Sequence, residues 1–387
     1  MHAGVISRIT DLPREQWNRV AGTHHPFLRH EFLAALESHQ CVGETFGWLP
    51  RHIVVQDDGG NLLGAAPFYL KDNSYGEFVF DWSWADAWQR AGKAYYPKLV
   101  SAIPYTPVTG PRLMVRAGSD AVQVSEALLR QVLKLAEQAG CSSLHWLFTD
   151  PHDTAVLLEH GYLRRTGCHF HWHNDGYRSF DDFLSRLRSR KRKKIRRERE
   201  FVAQAGIRME VIHGNEASQA QWEIMHYFYR STFEKKLGVP TLSLEFFLDI
   251  SRTMGEQVVL VFAWLGEQAV AGAINLRSDT ALYGRHWGCL GKYNSLHFET
   301  CYYQGIEYCI NHRLALFEPG AQGEHKISRG FLPTLTWSAH RIREPLFREP
   351  VAQFLADEHE WMLAYFDEMQ GYSPYREDGV SHREAKR

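Results

Sequence analysis

The chain has 387 residues, of which 44% are hydrophobic and 23% charged. That balance excludes a disordered, collagen-like or supercharged protein, and the length predicts two domains at roughly 100–200 residues each. The formal net charge is −1, but it conceals an asymmetry taken up below. No apolar run reaches the ~18 residues of a membrane span. Met1 to Arg8 lacks the charged-then-apolar order of a signal peptide. A cytoplasmic protein is expected. Its six cysteines, Cys41, Cys141, Cys168, Cys289, Cys301 and Cys309, form no C-x-x-C pair and are expected as free thiols.

In chain order, the first signal is a hairpin. Arg51–Val55 and Leu62–Leu70 flank the turn Asp57-Asp58-Gly59-Gly60. An aromatic strand is expected next, Phe78 to Trp84, followed by an amphipathic helix over 122–139 and a strand over 143–148. His169, His171 and His173 alternate, as on one face of a strand, with no carboxylate set to complete a metal site. The polar run Asn174-Asp175-Gly176 suits a linker. Residues 180–205 read as one or two helices ending at Gly206. A second hairpin spans 257–277, then a strand 282–290, a helix 296–312, a short strand 314–317 and a last helix 351–369.

The second half echoes the first. Gly64-Ala65-Ala66 matches Gly272-Ala273-Ile274, and Tyr75-Gly76-Glu77 matches Tyr283-Gly284-Arg285, both at an offset of 208. Two α/β units in tandem are expected, with mixed, largely antiparallel sheets: residues 1–175, a basic helical segment 176–206, residues 207–372, and a polar tail 373–387 that is expected to fray.

Residues 186–199 carry ten Lys/Arg against one acid, Glu198. Without them the remaining 34 basic and 44 acidic residues give a net of −10. Arg190, Lys191, Arg192, Lys193, Lys194, Arg196 and Arg197 lie on a helix with only a thin apolar stripe. Such crowding fits contact with a phosphate backbone, and pairing with the acidic remainder is the alternative.

Several longer motifs stand out. They are Trp82-Ser83-Trp84-Ala85-Asp86-Ala87, Tyr95-Tyr96-Pro97-Lys98-Leu99, residues 296–307, and Gly320-Ala321-Gln322-Gly323-Glu324-His325-Lys326 with Arg329-Gly330-Phe331-Leu332-Pro333. In these the chain resembles the bacterial FemAB-like N-acyltransferases, often labelled peptidoglycan-biosynthesis-like, from about residue 5 to about 370. The resemblance implies tandem GNAT-like acyltransferase domains and an acyl group passed to a primary amine. It leaves the donor open between aminoacyl-tRNA and acyl-CoA, with no tightly bound cofactor.

Aminolysis needs a proton acceptor, oxyanion donors and a fixed donor substrate, and no covalent nucleophile. No G-x-S-x-G elbow occurs. Glu324, His325 and Lys326 are the candidate catalytic groups, together with Glu299. If 324–326 is extended, Glu324 and Lys326 point to one side and His325 to the other. Arg285, Gly288 and Gly291 form an R-x-x-G-x-x-G turn, one residue longer than the pyrophosphate turn of CoA-dependent relatives. With His297 and Arg329 they are the candidate donor-binding residues. Trp82, Trp84 and Asp86 are candidates for an acceptor cleft, and the two tryptophans serve equally as core. The function expected is transfer of an acyl group, aminoacyl from tRNA, to a peptide-like or small-molecule amine. An acyl-CoA-dependent N-acetyltransferase, and a non-catalytic RNA-binding protein on an acyltransferase scaffold, are the alternatives.

Overall fold

The computed structural model describes residues 1–235, 237–321 and 323–376. Residue contacts divide the chain into two units. One is Met1–Gly167 with Thr336–Leu363; the other is Cys168–Leu335 with the segment from Ala364 onward. The second unit is therefore not the unbroken 207–372 stretch expected. Trp337–Ile342 pairs with Ser143–Thr149 and so returns to the first unit. The basic segment lies wholly within the second.

The expected first hairpin is present as His52–Gln56 paired with Leu62–Ala66. His2–Ile6 and Met114–Val115 flank it, making a four-stranded antiparallel sheet. A further set of strands in this unit runs Trp48–Pro50, Tyr69–Lys71, Lys98–Ser101 and Ser143–Thr149, the last two parallel. The helix Ala121–Gln138 begins at Asp120, whose side chain accepts from the Gln123 N–H. Its i, i+4 residues Val124, Leu128, Val132 and Ala136 are buried against Ile53, Val55 and Phe68. Burial of each large side chain is worth about 2 kcal/mol. Gly64 permits the approach, because a Cβ there would fall 2.3 Å from Val124 Cγ1.

The second unit is an antiparallel meander of Ile207–His213, Val258–Leu265, Gln268–Arg277 and Ala281–Cys289. Leu316–Glu318 joins in parallel, and His173 and Trp172 pair beyond it. Gly272 repeats the part played by Gly64: a Cβ there would lie 2.7 Å from Met225 Cε on the helix Gln219–Lys235. The sequence echo thus corresponds to one hairpin per unit, each with a glycine under a closely packed helix.

Two further expectations fail. Phe78–Trp84 is not a strand: the helix Trp82–Arg90 begins there. Trp84 and Trp88, four apart, face the core, where Trp88 stacks on Phe347 at 3.7 Å. Trp82 and Asp86 share the exposed face instead. The tail is not frayed at its start, since the Tyr375 hydroxyl donates to Gly330 O at 2.8 Å and Arg376 N donates to Arg186 O at 3.0 Å. Residues 377–387 lie outside the described residues.

Candidate active site

The site grows from a parting of two strands in the second unit. Ala281–Cys289 pairs with Leu316–Glu318 over only three residues, Ala281↔Leu316 to Tyr283↔Glu318. Beyond that point the chains separate. On the other edge of Ala281–Cys289 the register with Gln268–Arg277 steps from His286 to Gly284, a β-bulge at Arg285. After Glu318 the chain passes through Gly320 (φ +93°) and Gly323 (φ +112°), conformations that side chains rarely adopt. It then enters the short 3-10 helix Glu324–Arg329.

Polar groups collect at the parting. Glu318 is buried, and burial pushes its carboxyl up to about 8, with the Arg285 guanidinium opposing. His171 Nε2 lies 3.8 Å from Glu318 Oε2, and burial holds the imidazole well below its usual range. Lys326 is 2% exposed. Its Nζ donates to Gly320 O at 2.6 Å, and burial lowers it to about 7, with Cys301 opposing. Burial raises the Cys301 thiol. Glu299–Tyr303 forms a π-helical segment beside it, an irregularity frequent at functional sites. Within it Thr300 Oγ1 is buried without a hydrogen-bond partner. The arrangement offers a proton acceptor and a proton donor with pKa values near neutrality, the property general acid–base chemistry needs.

The expected residues divide. Lys326 belongs to this cluster, and Arg285 joins it as the neighbour of Glu318. Glu324 and Lys326 do not share a side, because the segment is helical and not extended. Glu324 is exposed and accepts from the Tyr365 hydroxyl at 2.9 Å. His325 is bonded to the Tyr302 hydroxyl at 2.9 Å, and burial lowers its pKa. Glu299 is buried against Arg199 (3.1 Å) and accepts from Gln304 at 2.7 Å. Arg329 is buried over the Phe298 ring and paired with Glu198 at 2.8 Å, which directs it inward. Glu318 was missed because a lone acid ending a three-residue strand carries no spacing signal.

The turn after Ala281–Cys289 borders a cavity of about 390 Å³, lined by Lys235, Trp287, Gly291, Lys292 and His297 among others. Gly288 serves packing: a Cβ there would fall 2.0 Å from Phe228 O. In the first unit Trp84 is buried beside His145 and His340, under the Arg165 guanidinium. Trp82 and Asp86 are on the opposite, exposed face.

The basic segment forms two helices, Phe180–Arg186 and Ser189–Gln204. Ile195, Glu198 and Val202 are buried. Glu198 accepts from the Tyr303 hydroxyl and from Arg329. Arg199 pairs with Glu299 and Glu307. Arg190, Lys193, Lys194, Arg196 and Arg197 are exposed, and Lys191 and Arg192 half-buried. Arg196 meets Asp181 at 3.0 Å. Among the described residues Arg190, Arg192, Lys193 and Arg197 have no carboxylate within 4.0 Å. Partial burial and the neighbouring cations Lys194, Arg190 and Arg188 lower the Lys191 pKa.

No metal-holding group of three or more His, Cys, Asp or Glu occurs among the described residues, and no helix there is long and apolar enough to cross a membrane.

Two α/β units, each built on a hairpin, with a parted strand pair in the second, define a tandem GNAT-type acyltransferase fold. Several solved structures are similar to the chain. FemX matches at 12% identity and a TM-score of 0.53, covering 90% of this chain and 99% of that one. A conserved protein of unknown function from Bacteroides thetaiotaomicron matches at 8% identity and 0.50, covering 88% and 99%. A tandem GNAT protein from the clavulanic acid biosynthesis pathway matches at 12% and 0.46, covering 89% and 99%. The curated proteins compared with the chain gave no match. The profile of the FemAB-like family, peptidoglycan biosynthesis/recognition, matches residues 8–377. The chain belongs to the FemAB-like family, which places it among the acyltransferases.

Proposed function

We propose that the protein transfers an aminoacyl group from aminoacyl-tRNA to a primary amine on a peptide-like or small-molecule acceptor. The observation that carries this reading is Glu318, buried at the parting of two parallel strands with Lys326 beside the same turn. The amine attacks the ester carbonyl directly, and Glu318 takes its proton. The new N–C bond forms as the C–O bond to the ribose breaks, and protonated Lys326 supplies the proton for the departing oxygen. No acyl-enzyme is required. The exposed face of Ser189–Gln204 supports a tRNA donor, because its cations are in surplus over nearby carboxylates. The family's description supports a peptide-type acceptor.

The test is transfer of labelled amino acids from bulk aminoacyl-tRNA to a panel of amines. Product formed by the wild type and lost in Glu318→Gln is expected. Equal rates in the two proteins would overturn the assignment.

One observation favours a second reading. The 390 Å³ cavity carries Lys235, Lys292 and His297 beside the Gly291 turn, a chemistry suited to the pyrophosphate of an acyl-CoA donor. A stabilising thermal shift with a CoA thioester and none with tRNA would select it.

A further inference from the structure

The first unit holds a buried ionic cluster that the reaction above does not use. Lys98 is 0% exposed. Its Nζ donates to Ser74 Oγ (2.7 Å), Glu77 Oε2 (2.8 Å) and Asp81 Oδ2 (2.5 Å). These three bonds use all three ammonium hydrogens. The Tyr95 hydroxyl also donates to Asp81 Oδ2 at 2.5 Å. The second oxygens, Glu77 Oε1 and Asp81 Oδ1, are buried and have no hydrogen-bond partner. Both residues are at least 97% buried. Each of these oxygens belongs to a carboxylate already bonded to the same Lys98 nitrogen.

The charges do not balance. Two carboxylates face one ammonium, a net of −1. Burial raises Glu77 to about 7, with Lys98 opposing and Asp81 adding to the rise. Lys71, the other cation acting on Glu77, sits over the Trp48 ring at 3.9 Å and is bonded to Asn73 and Tyr75 O at 3.3 Å. Burial lowers it to about 7. His145 and His340 bond to each other at 2.7 Å, and burial depresses both. Neither imidazole supplies a compensating charge at neutral pH.

The segment that carries the carboxylates also carries an exposed aromatic rim. Tyr75 is 70% exposed, and its ring meets that of Trp82 edge-on at 5.2 Å. Phe78 and Phe80, which lie between the two acids in sequence, are also exposed. Phe78 holds a left-handed φ of 61°, a strained conformation for a bulky side chain of the kind found at ligand sites. Electron-rich rings on the segment that carries one uncompensated carboxylate charge are the chemistry that selects an organic cation.

We propose that residues 74–82 form a binding site for a primary alkylammonium group, received by Glu77 Oε1 and Asp81 Oδ1 and entered past the Tyr75 and Trp82 rings. The site does not rest on the acyl-transfer reading, since it is assigned from the first unit's own residues and is read by binding.

The experiment is titration of the full chain with n-butylammonium at pH 8 and constant ionic strength, followed by tryptophan fluorescence and calorimetry, with 1-butanol as neutral control. Saturable binding of the amine, none of the alcohol, and a weakening of about tenfold or more in Asp81→Asn are expected. Should Asp81→Asn fail to fold, Trp82→Ala decides, because Trp82 lies on the exposed face. It is expected to fold and to bind at least about twofold more weakly. Equal responses to amine and alcohol, or wild-type affinity in a folded Trp82→Ala protein, would overturn the proposal.

Discussion

Glu198 and Arg329, 131 positions apart, form an ion pair at 2.8 Å with both side chains more than 90% buried. The pair fastens the basic helix to the short helix that carries Lys326. It also divides the basic segment. The single acid among its ten cations turns inward, and the surplus cations remain on the outer face. Part of the cationic segment is therefore structural. That part, with Arg199 on Glu299 and Glu307, is separable by mutation from the part assigned to a polyanion.

Substitution on the two faces should give different phenotypes. Arg192→Glu with Lys193→Glu should leave the melting temperature near wild type and abolish salt-sensitive tRNA binding. Single neutral replacements should each lower the slope of log K against log salt by roughly 0.7–0.9. Arg199→Ala should destabilise by about 3 kcal/mol, because buried Glu299 loses its cation. Denaturant unfolding and filter binding separate the two effects.

Glu318→Gln should cut kcat/KM by roughly 10²–10⁴ with the fold intact, and Glu324→Ala should retain most activity. The wild-type rate should be bell-shaped in pH with its maximum between about 7 and 8, rising as Glu318 loses its proton and falling as Lys326 loses its own. The stability effect of Glu318 has the opposite sense. A carboxyl whose pKa is raised in the fold keeps a proton that the unfolded chain has lost, so stability falls as pH rises from about 4.5 to about 8. Glu318→Gln should flatten that slope in urea titrations at several pH values.

Lys326 behaves in the reverse way. Its folded pKa is lowered to about 7, so between about 7 and 10.5 the unfolded chain holds the extra proton and stability rises with pH. Lys326→Met should therefore be more stable than wild type at pH 6, and the advantage should shrink by pH 9. Thermal unfolding at the two pH values checks the sign.

Gly288→Ala should lower stability by about 1–3 kcal/mol or more, since its Cβ would strike the Phe228 backbone. Gly291→Ala should cost little, because its neighbour is the Tyr293 ring at 3.2 Å, a side chain at the cavity rim. If Gly291→Ala is the more damaging of the two, the turn is a phosphate cradle and the packing assignment is wrong.

Much of the architecture was legible in local chemistry. The repeated hairpins announced themselves through alternation and turn residues, and the helix 121–138 through its amphipathic spacing. The helix Trp82–Arg90 was misread because Trp82 and Trp84 mimic a two-residue period, while Trp84 and Trp88 pack at a spacing of four. The return of Trp337–Ile342 to the first unit is a long-range pairing that no local pattern encodes. Lys326 could be singled out because acid, imidazole and ammonium stand together. Its burial depended on the helical turn, and Glu318 and His171 acquire meaning only where the strands part. Lys98, Glu77 and Asp81 are unremarkable singly, and only the fold brings them to one nitrogen.

The most direct test of acyl transfer from tRNA compares aminoacyl-tRNA with acetyl-CoA and longer acyl-CoAs, using purified protein at low and moderate salt. Salt-sensitive tRNA binding, with amino acid transferred to an amine and no thermal shift from any CoA thioester, is the predicted result. A clear shift with a CoA thioester and no tRNA binding even at low salt would contradict it.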